Sequence, residues 1–427
     1  MMKSTALRRY SAMNKTAIIG GGAAGLAAAI FIKMNRPHIN VTVFERLERV
    51  GKKLLATGNG RCNLSNINCK NTVMQGGKTV LEHYFGGDRS FAINAINRFD
   101  NNALADFLLS LGMPVIYEED KMFPLSLNAA TVLDVLRLKC EQLKVDFRLS
   151  SPVSQISRKN GVFVINGERF DNVIIAAGGK AQPKLGSDGS GYALLHSFGH
   201  KLSATMPSIT QIKTDTEFVR QLKGLKVNVN LKIYANGKFI REQDGQLLFT
   251  DYGISGPPAF MLSRIAAQFG GKCSVKIDFM PDYTFDDVLS LIGNIVKSPF
   301  CADLTLENLL TPIINKRIGQ VIVKSCGYKL NTAASTLKRA DLQKIASALK
   351  TFELNVTGVQ GYNVAQVTAG GIITDDFDSD TMQSKLQSGL YAVGEVLDVD
   401  GDCGGYNLQW AFSSAYAAAK DISEKAK

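Results

Sequence analysis

The segment that most restricts the fold is the apolar stretch 16–35, broken by Gly20-Gly21-Gly22-Ala23-Ala24-Gly25. Its flanks predict a buried strand over 16–20 and a helix over 23–35, and NVTVFE at 40–45 predicts the next strand. A βαβ unit of this kind belongs to a parallel sheet with both faces covered. G-x-G-x-x-G between strand and helix has a mechanical meaning. The first glycine permits a tight turn, the second lets the main chain approach a pyrophosphate, and the third lets the helix pack on the strand. The helix start then offers N–H groups and positive potential to an anion. Glu45 closes the second strand. A carboxylate there accepts hydrogen bonds from the ribose hydroxyls and repels a 2′-phosphate, so the adenosine expected is that of FAD or NAD rather than NADP. Residues 16–32 carry no charge and reach only the lower limit for a membrane span; the glycines make strand, turn and helix the better reading.

FAD and NAD share ADP, so the fingerprint leaves them open. Three later stretches bear on the choice. KKLLATGNGRCN at 52–63 favours a loop whose amides point at a ligand, and NVIIAAGG at 172–179 reads as a parallel strand whose end meets the same cleft. LYAVGE at 390–395 is a strand ending in Gly394-Glu395, followed by Asp398, Asp400, Asp402 and then Gly404-Gly405 opening a helix. Acids beside a second helix start suit a flavin: acceptors for the ribityl hydroxyls and a positive end for the charge on the reduced ring.

Helical spacing covers 91–111 and 126–143, with strands expected at 114–117, 145–149 and 162–165. From about 207 the pattern alternates strictly. Leu225, Val227, Val229, Leu231 and Ile233 share one face, and turns at Asn236-Gly237 and Asp244-Gly245 predict two hairpins in an antiparallel meander with one solvated face. Residues 283–350 read as three or four helices; short strands follow at 352–356, 371–374 and 390–393, then a helix over 405–424. The fold class expected is α/β: a split Rossmann-type FAD-binding domain with an inserted antiparallel β domain and a small helical domain. The boundaries are a flexible basic arm at 1–15, the FAD-binding domain at 16–206 and 352–427, the β domain at 207–281 and the helical domain at 282–351.

Of 427 residues, 45% are apolar and 20% charged, the balance of a folded protein. Its net charge of +11 is local. Four basic residues (Lys3, Arg8, Arg9, Lys15) stand without an acid in 1–15, and eight stand against Asp341 alone in 313–350; these two stretches hold the whole excess. The region 313–350 is therefore where nucleic acid or an acidic substrate would be attracted. Seven scattered cysteines without a C-x-x-C pair imply a reducing, cytoplasmic setting, and four histidines make a His-rich metal centre improbable, so no metal site is expected. His196 and His200, four apart, read as one face of a surface helix. The N-terminal residues lack a secretory pattern, and Met13 is a second candidate start.

The stretches GGGAAGLAAA, LLATGNGRCNLSN, IIAAGGKAQPKLGSDGSGYALLHSFGH, DYGISGP and AQVTAGGIIT through GLYAVGEVLDVDGDCGGYNLQWAFSSAYAA resemble the BaiN-like (YhiN-type) family of FAD-dependent oxidoreductases, which includes aminoacetone oxidase-like flavoproteins. The matches run in order over nearly the whole chain. Two departures are Asn59, where the loop usually has Gly, and Asp251-Tyr252, where His-Thr is frequent. The resemblance implies FAD contacts from Gly20, Gly22, Ala23, Ala24, Gly25, Glu45, Arg46, Lys53, Asn59, Arg61, Cys62, Asn63, Val153, Ala177, Gly178, Gly179, Gly394, Glu395, Asn407, Leu408 and Gln409. Val153 rests on resemblance alone, as a main-chain contact to adenine.

Candidates for the chemistry are Arg61, Asn63, Tyr252, Tyr406 and Gln409, with Arg61 best suited to orient an anionic or carbonyl group. Cys62 reads as a packing residue and Trp410, the only tryptophan, as helix core. Residues 186–191 are glycine-rich but form a turn into a helix, so no second dinucleotide unit is expected. NAD(P)H, as a transient electron donor, or O2 would then meet the flavin in the substrate's own cleft. The expected substrate is a small or lipid-like carbonyl, enone or amine; the alternative is an RNA-binding or RNA-modifying flavoprotein. No membrane partner is expected, and oligomeric state is not legible.

Overall fold

The computed structural model describes residues 14–70, 79–299 and 303–426, so all but the last two positions of the expected basic arm lie outside the described residues. The chain divides into two units, one of residues 1–205 with 366–427 and one of residues 206–365.

The first unit is organised by a parallel sheet. Among the described residues it has five strands, in the order Leu390–Ala392, Asn172–Ile175, Lys15–Ile19, Asn40–Phe44 and Asp146–Arg148. The two central strands are buried almost throughout, which is why they read as continuous apolar runs. Helix Ala23–Asn35 follows the first strand and packs against the last helix, Tyr406–Lys425. Both are rich in buried alanine, which lets helices approach closely. Arg36 Nε donates to Ser423 O (3.0 Å), joining the C-terminal ends of the two helices. They therefore run parallel, with both N-termini at the C-terminal edge of the sheet.

Three expectations change in this unit. The helix expected over 91–111 is two, Phe91–Arg98 and Asn101–Ser110, because Asp100 caps the second by accepting from the Ala103 N–H (2.9 Å). No strand forms at 371–374, where Ile372 makes only isolated bridges. His196 and His200 do not share a helix face, since the helix ends at His196 and Gly199 turns with φ +94°. His200 is fully buried, bonded through Nε2 to Ser384 Oγ (2.9 Å) and stacked on Phe377.

The second unit is a closed six-stranded barrel with helices around it. Neighbouring strands run Ile212–Thr214, Gly253–Ser255, Lys238–Phe249, Lys226–Ala235, Cys273–Asp278 and Phe352–Val359. The alternation noted above fills the barrel: Val229, Leu231 and Ile233 are buried together with Leu247, Val275, Ile277 and Leu354. Asn236 and Gly237 make the expected turn, both at positive φ. The Asp244-Gly245 turn does not exist, because Asp244 and Gly245 pair with Asn230 and Val229 inside one long strand. Gly245 serves a different purpose there: a Cβ would meet Pro258 Cγ at 3.1 Å, at the start of helix Pro257–Phe269. Residues 352–359, expected in the FAD-binding domain, instead close the barrel by pairing with both Ile212–Thr214 and Cys273–Asp278. Helices Phe285–Lys297, Lys316–Ser325 and Arg339–Lys350 share the barrel's apolar core.

Lys350 fastens the last of these helices to the barrel. Its Nζ reaches Asp278 at 2.7 Å and also donates to the Met280 and Tyr283 carbonyls, with both charged side chains about 15% exposed. Asp278 in turn accepts from the Met280 N–H (2.9 Å). Replacing Lys350 by Met leaves an uncompensated carboxylate and should lower unfolding free energy by about 3 kcal/mol, with K350M/D278N recovering part of it. Urea denaturation of the three proteins measures this.

Candidate cofactor and active site

The glycine turn is fixed by contacts that no side chain would survive. A Cβ on Gly20 would stand 2.5 Å from Ala176 O, and one on Gly25 only 2.0 Å from Gly20 O. At Gly22 a Cβ would meet nothing within 4 Å. Gly20 and Gly25 thus serve packing, while Gly22 faces open space before the first helix. Leu26 N–H bonds back to Gly22 O (2.9 Å), so the N–H groups of Ala23, Ala24 and Gly25 have no acceptor within the helix. They are available to an anion placed before this turn.

Glu45 is buried at the end of its strand. It accepts from the Gly21 N–H (2.9 Å) through Oε2 and from the Leu47 N–H (2.9 Å) through Oε1. Two such bonds leave acceptor capacity on the carboxylate for ribose hydroxyls. The segment before Val153 is tied to the same place, Ser151 N–H donating to Glu45 O (2.9 Å).

The middle of the site is a set of matched charges. Lys53 Nζ contacts Glu395 Oε2 at 2.6 Å and Ser187 Oγ at 3.5 Å; Glu395 Oε1 accepts from the Thr368 N–H (2.8 Å). Thr368 Oγ1 accepts from the Lys180 and Ala181 N–H groups (2.7 and 2.9 Å), which shapes the turn after Ala177, Gly178 and Gly179. A Cβ on Gly179 would strike Thr368 Oγ1 and Glu395 Oε1, at 2.5 and 2.8 Å. Arg46 forms an ion pair with Asp188.

At the far end, Gly405 precedes the last helix with φ +101°, and a Cβ there would lie 2.2 Å from Ser65 O. Asn63 bridges to this point. In the amide orientation its neighbours require, it donates to Ser65 O (2.9 Å) and Met122 O (3.2 Å) and accepts from the Gly405 N–H (3.2 Å). Its amide therefore positions the helix start. Asn407 bonds both the N–H and the C=O of Gly401 (2.8 Å each), locking the acidic loop. Gln409 is fully buried and spends its amide on Ser65, Phe99 and Ser413, so its side chain is structural. Its N–H bonds Gly405 O, leaving the Tyr406, Asn407 and Leu408 N–H groups without an acceptor in the helix.

Arg61 pairs with Glu118 and lies over the Phe123 ring at 4.5 Å, half-exposed. Asn59 is exposed, in left-handed conformation beside Gly58. Cys62 is buried, and burial pushes its thiol up to about 12, against any redox use. Tyr406 is buried and its phenol is pushed up by the same desolvation. Trp410 is core, donating through Nε1 to Gly394 O (3.1 Å). Tyr252 lies in the barrel unit, just before strand Gly253–Ser255. Asp398, Asp400 and Asp402 are all buried rather than solvated. Sequence reasoning passed over Thr368, Ser187 and His83, the last bonded through Nδ1 to Asp402 Oδ2 at 3.0 Å. No motif marks them, because each also meets a partner more than a hundred residues away: Lys180 for Thr368, Lys53 for Ser187 and Asp402 for His83.

These residues fit an FAD. A bare cradle at Gly22, two helix starts with unpaired N–H groups and a carboxylate for ribose are the donor and acceptor set of a dinucleotide, and the second helix start suits an anionic ring. Among the described residues no cluster of metal-ligating side chains occurs, and no helix is long and apolar enough to cross a membrane.

The profile described as HI0933-like protein Rossmann domain matches residues 14–421. A 3-dehydro-bile acid delta(4,6)-reductase of Clostridium scindens is 36% identical over 421 residues, spanning 97% of this chain and all of its own length. A ribosomal RNA dihydrouridine synthase of Haemophilus influenzae is 30% identical over 429 residues, 97% of this chain and all of its own. One of Escherichia coli is 30% identical over 416 residues, 95% and 97%.

The two glycines give opposite outcomes. Gly22→Ala should leave the fold and the melting temperature of the cofactor-free protein unchanged while weakening FAD binding about 10- to 100-fold, roughly 1.4–2.8 kcal/mol. Gly25→Ala forces helix and turn apart and should cost the cofactor-free protein about 1–3 kcal/mol of stability. Flavin titration and thermal melts distinguish them.

Proposed function

The chain belongs to the HI0933-like Rossmann family, and from that premise we propose that it is an FAD-dependent reductase of carbon–carbon double bonds conjugated with a carbonyl. The observation that carries the reading is the convergence of two helix N-termini, those of Ala23–Asn35 and Tyr406–Lys425, on either side of Gly394. When bound, FAD supplies a two-electron carrier able to take up and release hydride. The first helix start and Glu45 would hold its ADP part, Glu395 and Lys53 would meet the ribityl hydroxyls, and the second helix start would favour the charge that reduction places on the ring.

The relatives' names agree on the bond type. Reducing a 4,6-diene conjugated with a 3-ketone, and reducing the 5,6 double bond of uracil beside its 4-carbonyl, both add hydride and a proton across an activated C=C. A steroid-like enone is the favoured substrate, because the bile acid reductase has the higher identity over the same share of the chain. Arg61, steadied by Glu118 and Phe123, is suited to orient the carbonyl or a distal anion. With a single five-stranded parallel sheet of this kind among the described residues, NAD(P)H as donor would take turns with the substrate in one cleft, a ping-pong order.

A second reading, RNA as substrate, is favoured by the basic stretch of the barrel unit. Of its eight cations, Lys350 and Lys316 are paired with acids, Arg317 is bonded to main chain and Lys324 donates to Gln221 Oε1. Lys329, Lys338, Arg339 and Lys344 remain exposed around helix Arg339–Lys350, Lys344 lying over Tyr328.

The test is anaerobic reoxidation of the reduced protein. A 4-en-3-one steroid should restore the flavin absorbance within the mixing and turnover time, and uridine-containing rRNA fragments should not. A colourless protein that cannot be reconstituted with FAD overturns the reading. Under the RNA reading, changing Lys338, Arg339 and Lys344 together to Gln should weaken rRNA binding and flatten its salt dependence by about three counterions; unchanged binding removes it.

A further inference from the structure

The reaction class leaves one task without a residue: a proton must reach the carbon beside the carbonyl. We propose that His83, held by Asp402 and stacked on Tyr406 at the start of the last helix, is the acid that delivers this proton. The inference rests on the reductase reading above.

The geometry is that of an oriented imidazole. His83 Nδ1 lies 3.0 Å from Asp402 Oδ2, a carboxylate 3% exposed, and the Asp402 N–H donates to His83 O (2.9 Å). Main chain and side chain are thus tied between the same two residues. The ring lies on Tyr406 with centroids 4.5 Å apart and planes 14° from parallel. Tyr406 is the first residue of the helix whose opening N–H groups have no acceptor within the helix and would meet the ring end of a bound flavin. The arrangement gives the proton on Nδ1 to Asp402 and leaves Nε2 as the ring nitrogen that can exchange a proton. Nε2 has no partner among the described residues, and the side chain keeps 18% exposure.

The other acids nearby are unsuited. Burial pushes the thiols of Cys62 and Cys69 up to about 12 and that of Cys403 up to about 11, and it raises the phenols of Tyr84 and Tyr406 further. Histidine is the side chain type whose ordinary titration spans neutrality. The charged and titratable groups around it are Asp402 on its ring, Tyr406 on its face, Glu82 and Tyr84 beside it in sequence, and Asp400, whose strand pairs with Phe85. Asp120 acts on Tyr406 and Lys121 on Cys403.

In the step, the substrate carbon next to the carbonyl forms a C–H bond with the proton that leaves Nε2. The imidazolium becomes neutral imidazole, keeps its Nδ1–H on Asp402 and regains a proton from solvent. The electron pair and the other hydrogen would reach the remaining alkene carbon as the hydride that a reduced flavin supplies when bound. Charge and atoms balance across the double bond.

The test uses the FAD-loaded full chain and two pH series between about 5 and 8. One follows the midpoint potential of the bound flavin, the other the rate at which dithionite-reduced protein is reoxidised by a 4-en-3-one steroid. Wild type should show a break in both, and H83Q, which keeps the size and the hydrogen bond but cannot titrate, should lose both. H83Q should also lower the plateau rate by about 10²–10⁴-fold with FAD affinity unchanged, and D402N should fall between the two. If H83Q keeps the rate and the breaks, the proposal is overturned. If the steroid fails to reoxidise wild type, the reductase reading fails, while the break in potential still decides for or against His83 as a proton-exchanging group beside the flavin.

Discussion

The cofactor unit depends on the way one residue, Gly394, is held. Its N–H donates to Ser414 Oγ (2.9 Å), its carbonyl accepts from Trp410 Nε1 (3.1 Å), and a Cβ on it would come within 3.2 Å of Ala24 Cβ. Ser414 completes the knot by donating to Trp410 O (2.7 Å). One backbone unit in left-handed conformation, φ +70°, therefore joins the end of a strand, the start of the first helix and the first turns of the last helix. The two helix starts can act together because this contact sets their spacing.

Around that knot the site has two electrical ends. Unpaired N–H groups of both helices supply positive potential, while Asp398, Asp400 and Asp402 bring buried negative charge to the loop just before the second helix. Lys53 and Glu395 neutralise each other between them. Polar side chains in this region are mostly committed to one another: Asn63 to Gly405, Asn407 to Gly401, Gln409 to Ser65 and Phe99. What is left for a ligand is largely main chain, which is the mark of a site that recognises a cofactor by shape.

Local signals were legible and distant ones were not. The glycine turn, the acid closing the next strand at Glu45 and the alternation through Val229, Leu231 and Ile233 are each encoded in a short local stretch, so period and turn chemistry locate them. Asp244-Gly245 misleads because the signal for a turn is also the signal for a strand position that another element crosses, here Pro258. Residues 352–359 look like any short apolar strand, and nothing local says that they close a barrel with residues 140 positions earlier. In the site, chemistry alone singles out the glycines and acids as candidates. It does not tell what Gln409 and Asn63 do, because an amide that positions a helix and one that touches a ligand have the same sequence signature. His83 is the sharpest case: its meaning depends entirely on Asp402, over three hundred residues later.

The parallel packing of the first and last helices has a consequence for biosynthesis. About 370 residues separate Gly25 from Gly394, so at roughly 5–20 residues per second the ribosome needs about 20–70 s to pass from one to the other. Throughout that interval the alanine-rich first helix is without the partner that covers it, and the parallel sheet lacks its edge strand Leu390–Ala392. The barrel unit, contiguous from 206 to 365, is complete before either arrives. The nascent nucleotide-binding segment must then be shielded by chaperones or by transient contacts, and cofactor capture becomes a late, post-translational event.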